Sequence, residues 1–191
     1  MLHDPRMRAL RAVTLIELLC VVAILSLLAA ASVTPIGSVV QSSRLNGVAN
    51  ELINELNQAR HAAIARNRVV ECRLYARTDG AIDEVQLWIY DPTRSTATPF
   101  DRKIVFDDPV VIAANTTWSS ALQSAPVKET SGASPYVAFR FRPDGSTDLP
   151  ASSPATLTLI SQPGTEPTAL KSLFFTAQID PVTGLVRGYS E

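Results

Sequence analysis

The first hydrophobic pattern in the chain is an unbroken apolar segment near the N-terminus. From Val13 to Val33 nearly every residue is apolar, and residues 18–43 carry no charge. As a helix at about 1.5 Å per residue, Val13 to Val33 rises about 31 Å, which matches a hydrocarbon core of about 30 Å. The pattern predicts one membrane-spanning helix.

A second pattern begins after Pro35, where apolar residues recur every three or four positions. This spacing places them on one face of a helix, while charged residues such as Glu51 and Glu55 fall elsewhere. We expect the helix to continue to about Arg68 and to bend near Pro35, because proline removes a backbone donor. The stripe predicted to face a core consists of Leu45, Val48, Ala49, Leu52, Leu56, Ala59 and Ala63.

From Val69 the period changes to two, which is typical of half-buried strands. In the clearest case Val70, Cys72 and Leu74 alternate with polar or aromatic residues. Polar stretches rich in Ser, Thr and Pro separate the strands and predict loops at 91–101, 119–135, 146–154 and 161–169. Strands are predicted at 70–75, 85–90, 137–142, 155–161, 172–179 and 185–189, with turns at 143–145 and 180–184.

Together these patterns predict an α+β fold, in which a long N-terminal transmembrane and amphipathic helix packs on a β-rich, antiparallel, sandwich-like head. We divide the chain into four segments. They are a basic leader at 1–12, the membrane half of the helix at 13–36, its amphipathic half at 37–68 and the head at 69–191.

Charge predicts the orientation of this arrangement. Arg6, Arg8 and Arg11 outnumber Asp4 in the leader, and flanking arginines hold that end of a span on the cytoplasmic side. The head then faces outward. The net charge of −1 gives no general case for a nucleic-acid partner.

Glu17 is the only formal charge inside the apolar segment, and an ionisable group in a span suggests a function. One alternative is a secretory signal peptide, with a cut after Ala29–Ala31 and a soluble protein starting at Ser32. Such signals have apolar runs of about 7 to 15 residues. The run here is longer, and a signal peptide gives Glu17 no role.

The run Ala12-Val13-Thr14-Leu15-Ile16-Glu17-Leu18 resembles the prepilin signature of type IV pilins and pseudopilins. The resemblance implies cleavage by prepilin peptidase between Ala12 and Val13, N-methylation at Val13, and Glu17 as the fifth mature residue. The family usually has Gly before the cut and Phe after it, so Ala12 and Val13 depart from its pattern. Pro35 lies close to the position at which pilin helices often carry a proline that loosens the helix.

The same resemblance implies a role for Glu17 in assembly. The new ammonium group at Val13 of one subunit could pair with Glu17 of its neighbour and set the register of a filament. At about 4 Å and an effective dielectric constant of about 20, the attraction is about 4 kcal/mol before desolvation is subtracted.

Residues 49–75 resemble the H-type minor pseudopilins and the T-type minor pilins, and the Verru_Chthon cassette D type is the nearest subset. The resemblance implies a structural subunit of a type II secretion pseudopilus or a type IV pilus. Its implied partners are other pilin or pseudopilin subunits, prepilin peptidase and the inner membrane, with the head in the periplasm. The residues that carry it are Leu56, Ala59, Arg60, Ala63, Arg66 and Asn67.

The residue inventory favours neither an enzyme nor a metal or cofactor site. Beyond the leader His61 is the single histidine, and the chain has no Gly-rich phosphate loop and no Gly-x-Ser-x-Gly motif. Calcium needs about six to eight oxygens in a compact loop. Two groups of acidic residues lack such spacing, and we interpret both as parts of solvated turns. They are Asp79, Asp83 and Glu84, and Asp107 and Asp108.

A local excess of arginine leaves DNA capture as an alternative function, which the resemblance to T-type minor pilins also implies. Against it, cations at a helix C-terminus complement the helix dipole, and strand arginines commonly face solvent. Aromatic residues do not interleave with these arginines in the sequence, as a stacking platform would require. We therefore favour the structural interpretation for Arg60, Arg66, Arg68, Arg73 and Arg77.

Overall fold

The computed structural model describes residues 14–31, 36–77, 80–125, 127–131, 134–161 and 173–190. The chain divides into two compact units, Met1–Val39 and Val40–Glu191.

The first unit contains helix α1, Leu15–Ala31, whose apolar side chains are exposed up to Leu28. None of the helices among the described residues combines the length and the apolar character that a membrane crossing requires. The predicted leader, the predicted cleavage site at Ala12 and Val13, and the predicted bend at Pro35 lie outside the described residues.

Helix α2, Ile36–Arg66, carries the apolar stripe that the second unit buries. All seven residues of the predicted stripe are buried in the main core, which confirms the prediction. The helix ends two residues before the predicted Arg68, because Asn67 adopts a left-handed conformation with φ of 51°. The N–H of Arg68 then donates to the Ala63 carbonyl at 3.1 Å, which is the closing hydrogen bond of a Schellman cap.

The head is a ten-stranded sheet in the order β10-β9-β8-β5-β2-β1-β7-β6, with β3 and β4 also paired to β2. Every strand pair is antiparallel, so the predicted α+β fold with an antiparallel head is confirmed. The elements are β1 Val70–Ala76, β2 Ile82–Tyr90, β3 Ala97–Pro99, β4 Ile104–Val105, β5 Val111–Ile112, helix α3 Ser120–Ser124, β6 Val127–Ser131, β7 Ser134–Phe141, β8 Ala155–Ile160, β9 Phe174–Ile179 and β10 Val186–Ser190.

Two predicted loops hold regular structure. The segment 91–101 contains β3, and 119–135 contains α3 and β6. The sequence "VKETS" of β6 has little apolar alternation, and its strand exists because it pairs with β7 over five residue pairs. Pairing with a preformed edge outweighs weak local propensity here.

Both predicted turns form where glycine supplies a left-handed conformation. Gly145 has φ of 86° and Gly184, which closes the β9–β10 hairpin, has φ of 63°. The two turns contact each other, because the Thr147 N–H donates to the Pro181 carbonyl at 2.8 Å. The C-terminal hairpin is thereby fixed to the loop that follows β7.

Candidate functional site

Glu17 lies in the first turn of α1, and its backbone belongs to a helix cap. Its N–H donates to Thr14 Oγ1 at 3.3 Å and to the Thr14 carbonyl at 3.1 Å. Thr14-x-x-Glu17 is the Ser/Thr-x-x-Glu order of a capping box, and an acidic residue at this position also complements the helix dipole. The sequence contained this signal, but the prediction for Glu17 addressed only its role in assembly.

Most of the predicted DNA-binding arginines have intramolecular partners. Arg60 Nε donates to the Thr183 carbonyl at 2.8 Å, and Arg77 Nη1 lies 3.1 Å from Asp83 Oδ2. Arg73 Nε lies 2.6 Å from Glu71 Oε1. Arg68 is exposed beside the helix end. Three of the five predicted DNA-binding arginines are therefore held by groups of the head itself, Thr183, Glu71 and Asp83.

Aromatic residues distant in sequence do lie against the arginines, which corrects the expectation drawn from their separation along the chain. The Arg66 guanidinium lies 4.5 Å from the centre of the Phe100 ring. Arg73 lies 4.0 Å from the ring centre of Trp88 and 4.7 Å from that of Tyr136. Each of these guanidinium groups covers one face of the ring that it contacts.

A buried carboxylate organises the sheet face opposite the Cys72 and Leu74 side chains. Glu71 was predicted on the polar side of a half-buried strand, yet its side chain is only 1% exposed. It accepts hydrogen bonds from Arg73 Nε at 2.6 Å, Arg140 Nε at 2.7 Å and the Tyr90 hydroxyl at 2.9 Å. Strands β1, β2 and β7 each contribute a residue, so this ionic cluster joins three neighbouring strands.

The electrostatics of Glu71 follow from these contacts. Burial alone raises the pKa of its carboxyl, but the hydrogen bonds from Arg140, Arg73 and Tyr90 outweigh burial and leave the pKa below its usual value. Burial and the bond to Glu71 raise the pKa of Tyr90. Glu71 is therefore held as a carboxylate between two guanidinium groups.

A second buried carboxylate, Glu55, lies on α2 where the sequence predicted an exposed position. It is 5% exposed, and its Oε1 has no hydrogen-bond partner among the described residues. Burial, with the nearby carboxylates of Asp101 and Glu51, raises the pKa of Glu55 to about 7. Burial also raises the pKa of the Cys72 thiol, which is fully buried in the core.

A pocket of about 580 Å³ opens beside the Glu71 cluster. It forms at one end of the sheet because Val70 pairs with both Ile89 and Phe141, which brings the start of β1 beside the ends of β2 and β7. The pocket is lined by Val69, Tyr90, Arg94, Arg140, Arg142, Pro143, Asp144 and Asp148.

The sequence pattern does not predict this pocket. Arg140 and Arg142 were assigned to a strand, and Arg94 to a loop. The one available signal was the pair of arginines next to the turn at 143–145, but their convergence with Tyr90 and Arg94 depends on strand register. The predicted candidates and the residues that line the pocket share no member.

The acidic candidates for calcium are engaged elsewhere or lie apart. Asp83 pairs with Arg77, and Glu84 Oε2 lies 2.7 Å from Lys103 Nζ. Asp79 lies outside the described residues. Across the described part of the chain, no three residues of the types His, Cys, Asp and Glu form a group that could hold a metal ion.

Comparisons with known proteins give two family matches. The family described as Type II transport protein GspH matches residues 48–171, and the prokaryotic N-terminal methylation motif matches residues 7–33. A comparison with curated proteins finds no match. Among solved structures, the chain is similar to the minor pseudopilin EpsH from the Type 2 Secretion System of Vibrio cholerae. The identity is 10% and the TM-score 0.49, over 77% of this chain and 97% of that one.

Proposed function

Because the chain belongs to the GspH family of type II transport proteins and carries an N-terminal methylation motif, we propose that it works as a minor pseudopilin. The observation that carries this proposal is the order of the two matches along the chain. The methylation motif covers residues 7–33, and the family match begins at residue 48, within α2. Neither region points to catalysis, so the role is structural.

The proposal includes the processing, membrane insertion and assembly of the protein. Prepilin peptidase cuts between Ala12 and Val13, and Val13 is N-methylated. Residues 13–36 anchor the protein in the inner membrane in a single pass, and the head lies in the periplasm. The mature helix then joins other pseudopilin subunits. The matched motif encloses both the cut and Glu17, which supports this order of events.

Glu17 has two separable roles under this proposal. Its carboxylate pairs with the Val13 ammonium of a neighbouring subunit, while its backbone N–H, capped by Thr14, helps to start α1. The first role needs a charge in the side chain. The second needs the Thr14 hydroxyl and is worth about 1 kcal/mol.

The test separates these two roles in cells that assemble the filament. Glu17→Gln should leave cleavage intact and abolish incorporation, because the pairing charge is gone. Thr14→Val should reduce incorporation only slightly if cleavage is normal. Glu51→Gln, which removes a carboxylate from α2, serves as the control and should assemble normally. Normal incorporation of Glu17→Gln would refute the assembly role. An equally severe defect in Thr14→Val would show that the start of α1, and not the Glu17 charge alone, limits assembly.

A further inference from the structure

The pocket beside the Glu71 cluster presents unused hydrogen-bond donors at its wall. A guanidinium group has five N–H donors, and Arg140 uses one on Glu71 and one on Tyr90. Three N–H groups of Arg140 therefore have no partner among the described residues, although Glu71 holds the side chain in place. The side chain is 36% exposed, so these donors are accessible from the pocket.

Arg94 reaches the pocket from a tightly bonded turn between β2 and β3. Arg94 has φ of 59°, in the left-handed region that non-glycine residues rarely adopt. The Asp91 carboxylate holds the turn by accepting hydrogen bonds from the N–H of Ser95 at 2.8 Å and from the Thr93 hydroxyl at 2.8 Å. Non-glycine residues kept in this region cluster at ligand-binding sites.

Arg142 reaches the pocket from a second fixed turn. Its N–H donates to the Ser146 carbonyl at 2.8 Å, and Asp144 Oδ1 accepts from the Ser146 N–H at 2.9 Å. Within the described part of the chain, the guanidinium groups of Arg94 and Arg142 form no hydrogen bond or ion pair. Three arginines therefore converge on one pocket with most of their donors unused.

We propose that this pocket binds an acidic side chain from an extended segment of a protein partner, with the carboxylate held by Arg94, Arg140 and Arg142. Planar guanidinium groups match a carboxylate through two parallel hydrogen bonds. Val69, Tyr90 and Pro143 supply apolar surface for the rest of the segment. The volume of about 580 Å³ is within the usual range of about 300 to 1,000 Å³ for ligand sites and exceeds what one carboxylate fills.

The lining favours a single carboxylate over a nucleic-acid backbone. Asp144 and Asp148 also line the pocket, and both would repel a chain of phosphates that crosses it. Asp148 Oδ1 accepts a hydrogen bond from the backbone N–H of Arg140 at 2.7 Å, so this carboxylate is fixed at the wall. A peptide with one acidic residue can place its charge between the arginines while its neutral neighbours pass the aspartates.

Binding is measured on the full chain in detergent micelles by NMR, with the Arg Nε–H signals as the readout. The probes are the capped peptides Ac-AAEAA-NH2 and Ac-AAQAA-NH2, sodium glutarate and a single-stranded oligonucleotide. We expect the Glu peptide to bind at least about tenfold more tightly than the Gln peptide, since only the former makes charge-assisted bonds. The Arg140 signal should shift with saturation.

The test uses a double variant, Arg94→Gly with Arg142→Gln. The control is the single variant Arg102→Gln. Glycine keeps the left-handed turn while removing the Arg94 charge. Arg102 is 82% exposed and lies near Glu51 rather than at the pocket. We expect the double variant to lose the preference for the Glu peptide and the control to retain it.

Four outcomes would overturn the proposal. They are equal binding of the two peptides, no binding of either peptide, unchanged binding in the double variant, and oligonucleotide or glutarate binding that outcompetes the Glu peptide. The peptide test does not depend on filament formation, so its failure is distinct from failure of the pseudopilin proposal.

Which protein supplies the acidic segment is inferred from the proposed function, and this inference is tested in cells. A photo-crosslinking residue at position 143, which lines the pocket without supplying a guanidinium group, should couple to a neighbouring pseudopilin, identified by mass spectrometry of the crosslinked peptides. Coupling to a secreted protein would retain the chemistry and assign the pocket to cargo. Crosslinks without an acidic residue beside the coupled position would contradict the proposal.

Discussion

Arg140 Nε on β7 donates a 2.7 Å hydrogen bond to Glu71 Oε2 on β1. The Glu71 side chain is only 1% exposed. The same carboxylate accepts hydrogen bonds from Arg73 and Tyr90. One buried charge therefore fixes the register of three strands and the position of the Arg140 guanidinium. The pocket therefore depends on the Glu71 cluster for its shape.

Removing the Glu71 charge should destabilise the head strongly. Glu71→Gln leaves Arg73, with 11% of its side chain exposed, without an anion, and breaking a buried pair in this way costs about 3 kcal/mol. Urea denaturation followed by tryptophan fluorescence measures the loss, since both tryptophans, Trp88 and Trp118, lie in the head. Glu84→Gln breaks the more exposed pair with Lys103 and should cost less than about 1 kcal/mol. Equal losses would mean that the buried cluster contributes little.

The Glu71 cluster also predicts acid sensitivity. Because the folded-state pKa of Glu71 lies below the ordinary 4.5, the stabilisation is complete above about pH 4.5 and is lost as the pH falls through the folded pKa. Unfolding free energies of the wild type and Glu71→Gln, measured from pH 3 to pH 7, should converge toward the acid end. A constant difference across this range would contradict the assignment.

Glu55 should give the opposite dependence on pH. Its folded-state pKa of about 7 lies above the ordinary 4.5, so the folded protein keeps a proton that the unfolded chain has released. Stability should fall as the pH rises from about 4.5 to about 7, by about 3 kcal/mol in total. Glu55→Gln should remove this decline and become more stable than the wild type above pH 7. Asp107→Asn, at an exposed site, should leave the decline unchanged.

Alanine substitutions at two glycines should distinguish the cost of backbone strain from the cost of a steric collision. Gly184 has φ of 63°, and a Cβ there would collide with the Gly145 carbonyl oxygen. Gly80 has φ of 86°, but a Cβ there meets nothing within 4 Å. Gly80→Ala should cost about 1 to 2 kcal/mol from strain alone, and Gly184→Ala at least about 1 kcal/mol more from the collision. Thermal unfolding compares them, and equal costs would show that the two turns separate easily.

The sequence predicted the elements that depend on local pattern. The α2 stripe and the strands at 70–75 and 155–161 follow from periodicity, and the turns at Gly145 and Gly184 follow from turn chemistry. It did not predict burial of Glu55 or Glu71, because a charged residue in a helical or alternating pattern is ordinarily assigned to solvent. The partners that compensate Glu71 come from β2 and β7, so only the strand register reveals them.

The most direct test of the pseudopilin account is the N-terminal residue and mass of the mature protein isolated from membranes. The account predicts a chain that starts at N-methylated Val13, with Glu17 as its fifth residue. A chain that starts at Ser32 would be an ordinary secreted protein, and it would contradict both the processing and the role assigned to Glu17.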